Sequence, residues 1–524
     1  MKRNIINKTM LLALGGALML GMGTGCSKFL KENDPSNLSP DSYFTLPEHA
    51  DAAVFAAYAR TRVIGEGAGI FSNNFQMLDA PTGTAITGTA QNSDLNNLLG
   101  LVYNGDNLHV GQWWRGLYKE IAQCNLTLDK VPGINPMDSA QKKRVLGEAS
   151  FLRAWAYFYA VRLWGDIPLI LKSQTASSPD FFPSRTKTED VYNAIVQDLK
   201  NAEAAGLNWT DASGRVGLAA IKTQLAKVYL TMAGFPLNKG AAYYKLAADK
   251  AKEVIDYAEA HPSEIGLFPD YASLHTTAMN NKLEHLFEVQ YLSGVEENPL
   301  QSIMLPNNSL AQDISAKGSG VGSSMPSQSF YNSFKKFEPT DKRTDEQQFF
   351  FTSYYVKGNG APFPLGAPYI FKHFDVEAHG APGKPGTAIS NLNVPQIRYA
   401  ETLLIYAEAE NRADGSPNAA AYKALNAVRA RAGNPALAGL SQTDFETYVW
   451  RERWHEFCYE GIIWFDMVRL QKVYNEDTNG FDAFIGHINK NSGQALQKKH
   501  LLFPLPTSEM KNNPKLIPQN EGYN

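Results

Sequence analysis

Glu452, Arg453, Glu456, Glu460, Asp466 and Arg469 crowd acid and base into one short stretch near the C-terminus. Residues three or four apart share a helical face, so Glu452 lines up with Glu456, and Glu456 with Glu460. At the same spacing Arg453 can approach Glu456, and Arg469 can approach Asp466. Such a patch serves either charged catalysis and recognition or an ion-pair network that locks the last helices together, and the network is the expectation here. His455-Glu456 has no second histidine at position 459, so the pair of imidazoles that holds a catalytic zinc on one helical face is absent.

Other catalytic patterns also fail on their own chemistry. There is no Gly-x-Ser-x-Gly elbow, and Gly318-Ser319-Gly320-Val321-Gly322 lacks the lysine and the strand-to-helix setting that a phosphate cradle needs. Paired acids for glycoside hydrolysis are defined by their separation in space, which sequence spacing does not supply. No catalytic residue, no cofactor and no metal is therefore expected. Cys124 and Cys458 make no disulfide or metal framework and read as small buried hydrophobes.

The third cysteine, Cys26, is different. Lys2, Arg3 and Lys8 precede an apolar run from Met10 to Met22, and Gly23-Thr24-Gly25-Cys26 closes it, although leucine is usual where Gly23 stands. The run is short for a membrane span, so residues 1–25 read as a lipoprotein signal, with Cys26 as the lipidated residue. Residues 26–47 are polar with three prolines and read as a tether. The net charge is -3 with scattered Lys and Arg, which excludes an electrostatic footprint for nucleic acid. After residue 26 no apolar run reaches membrane length, so the protein is expected to sit on a membrane without crossing it.

The elements that must carry these residues are mainly α-helices. Val145, Ala149, Leu152, Ala156, Tyr159 and Leu163 recur at three- and four-residue steps, predicting a core helix over Lys143–Trp164 that Gly165 and Pro168 stop. Leu218–Met232 with Ala241–Tyr257, and Arg398–Arg412 with Pro417–Arg431, form two similar pairs. Each has alanine and glycine eight apart, at Ala226 and Gly234 and at Ala407 and Gly415, followed by Ala-Ala-Tyr. These predict a tetratricopeptide-like helical hairpin scaffold. The expected layout is a helical region 48–266 and a C-terminal region 267–524, packed as one body. In the second, 267–394 is long loops with a few short strands and 395–524 is helical.

Glu452-Arg453, Glu456-Phe457, Glu460-Gly461, Trp464-Phe465-Asp466 and Val468-Arg469 resemble a motif of the SusD/RagB family. So do Phe151-Leu152-Arg153-Ala154 with Trp164-Gly165-Asp166-Ile167-Pro168, Ala407 to Arg412, Leu425 to Gly433 and the ending Phe503-Pro504-Leu505-Pro506 to Tyr523. One departure is Ile463, where the family commonly has arginine. The resemblance implies a SusD-like fold and a lipid-anchored lid at the outer membrane, facing outward. Such a lid captures oligosaccharides or peptides and delivers them to a SusC-like TonB-dependent transporter. The alternatives are a secreted helical-repeat scaffold or adhesin, and a glycoside hydrolase.

Glycan-binding relatives often use aromatic platforms in two loop regions, yet here Asp79–Val102 and Asn298–Ser329 contain no Phe, Tyr or Trp. A sugar covering a third of such a ring would gain roughly 1.7 kcal/mol, so the loss of two platforms matters. The loops offer hydrogen-bonding groups instead: Asn74, Gln76, Asp79, Thr82, Gln91 and Asn92, with Ser323 and Met325 opposite and Tyr103 nearby. These nine are the expected ligand contacts. Trp113 and Trp114 stand at core spacing and are assigned to packing.

Overall fold

Local stop and start signals set the ends of several helices in this chain, and the computed structural model shows where they act. It describes residues 43–307, 320–355, 362–379 and 390–523, so Cys26, the signal segment and most of the tether lie outside the described residues. The core helix predicted from Lys143 starts one turn earlier, at Ser139, because Asp138 accepts a hydrogen bond from the Gln141 N–H and caps it. It ends at Trp164, where Gly165 takes φ of 73°. From Gly147 to Trp164 all its residues but Tyr159 and Arg162 are buried.

The long helices are α1 (Pro47–Arg60), α3 (Leu108–Lys130), α4 (Ser139–Trp164), α5 (Thr188–Glu203), α6 (Leu218–Ala233) and α7 (Ala241–Ala260), with the short α2 (Ser93–Leu99) in the first long connection. After the middle region, which holds α8 (Gln328–Phe337), come α9 (Tyr399–Asp414), α10 (Ala419–Arg431), α11 (Gln442–Phe457) and α12 (Ile463–Leu470). Each helix packs on the next: α1 on α3, α3 on α4, α4 on α5, α5 on α6 and α6 on α7. The stack then jumps the middle region, because α7 packs directly on α9, which packs on α10 and α11. The two predicted hairpins, distant in sequence, are neighbours in one helical array within the compact unit Leu46–Asn524.

Small residues set the helix spacing. Ala247, Ala248 and Ala251 on α7, with Ala407 and Ala409 on α9, are fully buried. On α3, a Cβ added at Gly116 would fall 1.9 Å from a methyl carbon of Val63, and on α4 one at Gly147 would fall 2.4 Å from the Ala205 Cβ. Any side chain there forces helices and turns apart.

The middle region is loop-rich with short paired strands, as its composition predicts. Antiparallel β2 (His285–Val289) and β6 (Val394–Arg398) close its base. In the first connection, β1 (Ala85–Ile86) pairs with β3 (Met325–Pro326). The hairpin β4 (Phe350–Tyr355) with β5 (Pro362–Ile370) covers a small aromatic core that includes Phe351, Tyr354, Tyr369, Phe371 and Phe374. A last hairpin, β7 (Lys472–Asn475) with β8 (Gly480–Ala483), follows α12. Among the described residues no helix is long and apolar enough to cross a membrane.

Candidate functional site

The two loops expected to face each other do meet, but they seal together rather than leaving a cleft. Gln76 Nε2 donates to the Ser323 carbonyl at 2.9 Å, and the Gln76 carbonyl accepts from Ser72 Oγ at 2.6 Å. Asn74 Nδ2 donates to the Val63 carbonyl, while the Asn74 carbonyl accepts from Trp113 Nε1 at 2.8 Å. Asn92 caps α2 through the Leu95 N–H and also holds the carbonyls of Ala68 and Ile70. Thr82 donates to the Asp79 carbonyl, Met325 sits in the aromatic core, and Tyr103 stacks on Phe503 and Tyr523.

Asn74, Gln76, Asp79, Thr82, Asn92, Tyr103, Ser323 and Met325 are thus all buried, and Gln91 alone of the nine is exposed. Their burial has a simple physical reason: polar side chains in an irregular connection satisfy the backbone groups that no helix or strand pairs. Burial raises the Asp79 carboxyl to about 7, with Glu460 adding to the push against the Gly461 N–H and Lys372. Trp113 and Trp114 are core residues as expected. Phe71, eight residues before the aromatic-free stretch that starts at Asp79, is 43% exposed and held at φ of 56° on the turn that Asn92 pins.

The acid-base patch is a buried network, wider than its spacing suggests. The helix α11 ends at Phe457, so Glu460 leaves the row of Glu452 and Glu456. Arg453 turns to Asp466, at 2.8 Å, and to Glu401 rather than to Glu456. Glu456 is instead shared by Arg398 at 3.0 Å, Arg431 at 2.7 Å and Arg343 at 3.2 Å. Glu460 pairs with Arg398 and Lys372, and Arg469 meets Asp466 at 2.7 Å as expected. Burial alone would raise the Glu456 carboxyl, but Arg431, Arg398, Arg343 and Lys372 outweigh it and hold it at about 2. Glu338, Asp341 and His455 bring ligand atoms within 4.8 Å of one another, as a metal would require. Arg429, Arg343 and Asn434 already bond those two carboxylates, so the cluster belongs to the network.

An open site lies beside the first connection. A cavity of about 570 Å³ is bounded by the Thr82–Thr84 turn, Trp454 of α11 and the segment carrying β7 and β8. Asn491 fastens that segment to the turn, donating to the Gly83 carbonyl at 2.6 Å. Inside, Asp482 accepts from Asn475 Nδ2 at 2.9 Å and lies 3.0 Å from His487 Nδ1, while Lys490 meets Asp477 at 2.7 Å. The Trp454 indole N–H has no acceptor among the described residues, and Ile485 and Ile488 stand 53% and 60% exposed among the lining residues. Amide, carboxylate, imidazole and ammonium groups beside aliphatic carbons suit a ligand rich in hydroxyls and C–H faces. No motif marks the cavity in the sequence, since its walls are some 370 residues apart along the chain.

Comparison with known proteins agrees with this architecture. A family model described as "SusD family" matches residues 283–523, and one described as "Starch-binding associating with outer membrane" matches residues 28–230. The chain is 27% identical to "SusD-like protein P2" of Formosa agariphila, over 95% of this chain and 97% of that one. A crystal structure of a SusD superfamily protein from Parabacteroides distasonis superposes with a TM-score of 0.84 at 35% identity, covering 93% of this chain and all of that one. A SusD homolog from Bacteroides thetaiotaomicron gives 0.76 at 22% identity, covering 93% and 100%. With two family models accounting for both halves and a relative alike along its whole length, this chain belongs to the SusD family.

Proposed function

We propose that this protein is a non-enzymatic, cell-surface binding lipoprotein that captures oligosaccharides and delivers them to a SusC-like TonB-dependent transporter in the outer membrane. Lipidation at Cys26 anchors it there, facing outward, and peptides are the second ligand class. The observation that carries the reading is the polar cavity between Thr82–Thr84 and the segment from Tyr474 to Lys490. Its Asp482, Asn475 and His487 alternate acceptors and donors, which is the pattern a sugar hydroxyl, both donor and acceptor, can complete. The family description as starch-binding and outer-membrane-associated supports the same ligand class and location.

Gln91 is the surface candidate from the first connection, with Phe71 as a stacking partner at the neighbouring turn. Of the eight buried residues Thr82 bounds the polar cavity, and the other seven act indirectly, by fixing the loops. A glycan array followed by calorimetry tests the site. Asp482→Ala combined with His487→Ala is expected to weaken the best glycan at least about tenfold while leaving the melting temperature within a few degrees. Undiminished binding removes this cavity from the proposal, and an array without hits turns the search to peptides.

A further inference from the structure

A second cavity, of about 310 Å³, lies where the end of α4 meets the turn after α6, the helix α12 and the C-terminal segment. It shares no lining residue with the polar cavity. Its walls are chiefly apolar, with Val161, Tyr192, Phe235, Pro236, Leu501 and Leu502 around it. Two guanidinium groups enter this wall from the helices, but Arg469 is paired with Glu408 and Asp466, which leaves that of Arg162.

Arg162 is held flat between two rings, 3.7 Å from the centroid of Phe158 and 3.6 Å from that of Phe465. Its Nε donates to the Phe158 carbonyl at 2.8 Å. The sandwich uses both faces of the guanidinium and one edge, leaving the Nη1 and Nη2 edge. Among the described residues no carboxylate lies within ion-pairing distance of it, whereas Arg153, Arg343, Arg398, Arg429, Arg431, Arg453 and Arg469 all have one. Burial pulls the Arg162 guanidinium down to about 10, against the weaker pull of Tyr159, Tyr192 and more distant carboxylates.

The rest of the lining does not neutralise it. Arg185 is held by neutral acceptors, the Asp166 and Pro518 carbonyls and the Asn520 side chain, with no carboxylate at ion-pairing distance among the described residues. Lys499 lies over the Tyr523 ring, and Lys498 pairs with Glu521. The Asp166 carboxylate is committed to capping α5 through the N–H and hydroxyl of Thr188. An apolar chamber with a pre-oriented, uncompensated guanidinium edge is built for a planar anion on an apolar body.

We infer that this cavity binds a small organic carboxylate with a compact apolar body, its carboxylate seated on the free edge of Arg162. Calorimetry or ligand-observed NMR with phenylacetate on the folded protein tests it, with 2-phenylethanol as the uncharged analogue. Phenylacetate is expected to bind saturably, 2-phenylethanol about tenfold more weakly, and raised salt to weaken only the first. Arg162→Gln should lower phenylacetate affinity about tenfold, and Val468→Phe, which narrows the chamber without altering charge, should abolish it. Glycan binding at the polar cavity should be unchanged in both variants, which separates this inference from the proposed function. Absence of saturable binding, equal binding of the two probes, or full affinity in Val468→Phe would overturn it. Should Arg162→Gln fail to fold, the uncharged probe and Val468→Phe decide alone.

Discussion

Arg343 Nη1 lies 2.8 Å from the Glu452 carboxylate, tying the loop-rich middle of the chain to helix α11 across more than a hundred residues. Both side chains are wholly buried. An ion pair so placed costs desolvation that only its neighbours offset, so its members are interdependent. Here Asp341, Glu456 and Arg429 complete the set.

Removing one member should therefore cost more than a surface pair would. Glu456→Gln leaves Arg343, Arg398 and Arg431 facing a neutral amide, with an expected loss of about 3–5 kcal/mol. Urea unfolding followed by circular dichroism measures it. A loss under about 1 kcal/mol would show that the network tolerates the vacancy.

Acid should weaken the same network. Glu456, Glu460 and Asp466 are each held at about 2 by their arginine and lysine partners against the opposing effect of burial. Their contribution is complete above the ordinary carboxylate range and fades as pH falls towards 2. Asp79 has the opposite sign. Raised to about 7, it stays protonated in the folded protein while the unfolded chain ionises, so it subtracts stability as pH rises from about 4 to 7. Asp79→Asn should raise the melting temperature at pH 8 and change it little at pH 4, and equal shifts at both would refute the assignment.

Close helix approach makes a third test. Gly116→Ala drives a methyl group into Val63 and should cost about 1–3 kcal/mol. In Gly116→Ala with Val63→Ala the clash is relieved, so the double variant should lose less than the two single losses added together. Strict additivity in denaturant melts would mean that the backbone moves instead.

Anchoring is tested by Cys26→Ser. The variant is expected to leave the membrane fraction, since the lipid is its proposed hold on the bilayer. Unchanged fractionation would send the anchor elsewhere.

The helical scaffold was legible because its signals are local. Val145 to Leu163 reveal a face by period alone, and Gly165 marks its end whatever surrounds it. The network was only half legible: Arg469 and Asp466 are helical neighbours, while Arg398, Arg343, Glu284 and Lys372 arrive from other elements at no fixed spacing. The candidate site was the least legible. An Asn or Gln in a loop looks alike whether it awaits a ligand or completes a backbone, and only the fold shows that Asn74 and Gln76 do the second. The polar cavity joins Thr82 to Lys490, a meeting that no window of sequence contains.

The seam between α7 and α9 also dictates an order of assembly. Helices α1 to α7 can stack as they emerge, but the alanine-rich face of α7 has no cover until α9 has been made. A chain cut short in the middle region would carry that face bare, inviting association with other incomplete chains. Export in unfolded form, which the proposed lipoprotein role would entail, avoids that interval, because the last hairpin is already present when packing begins.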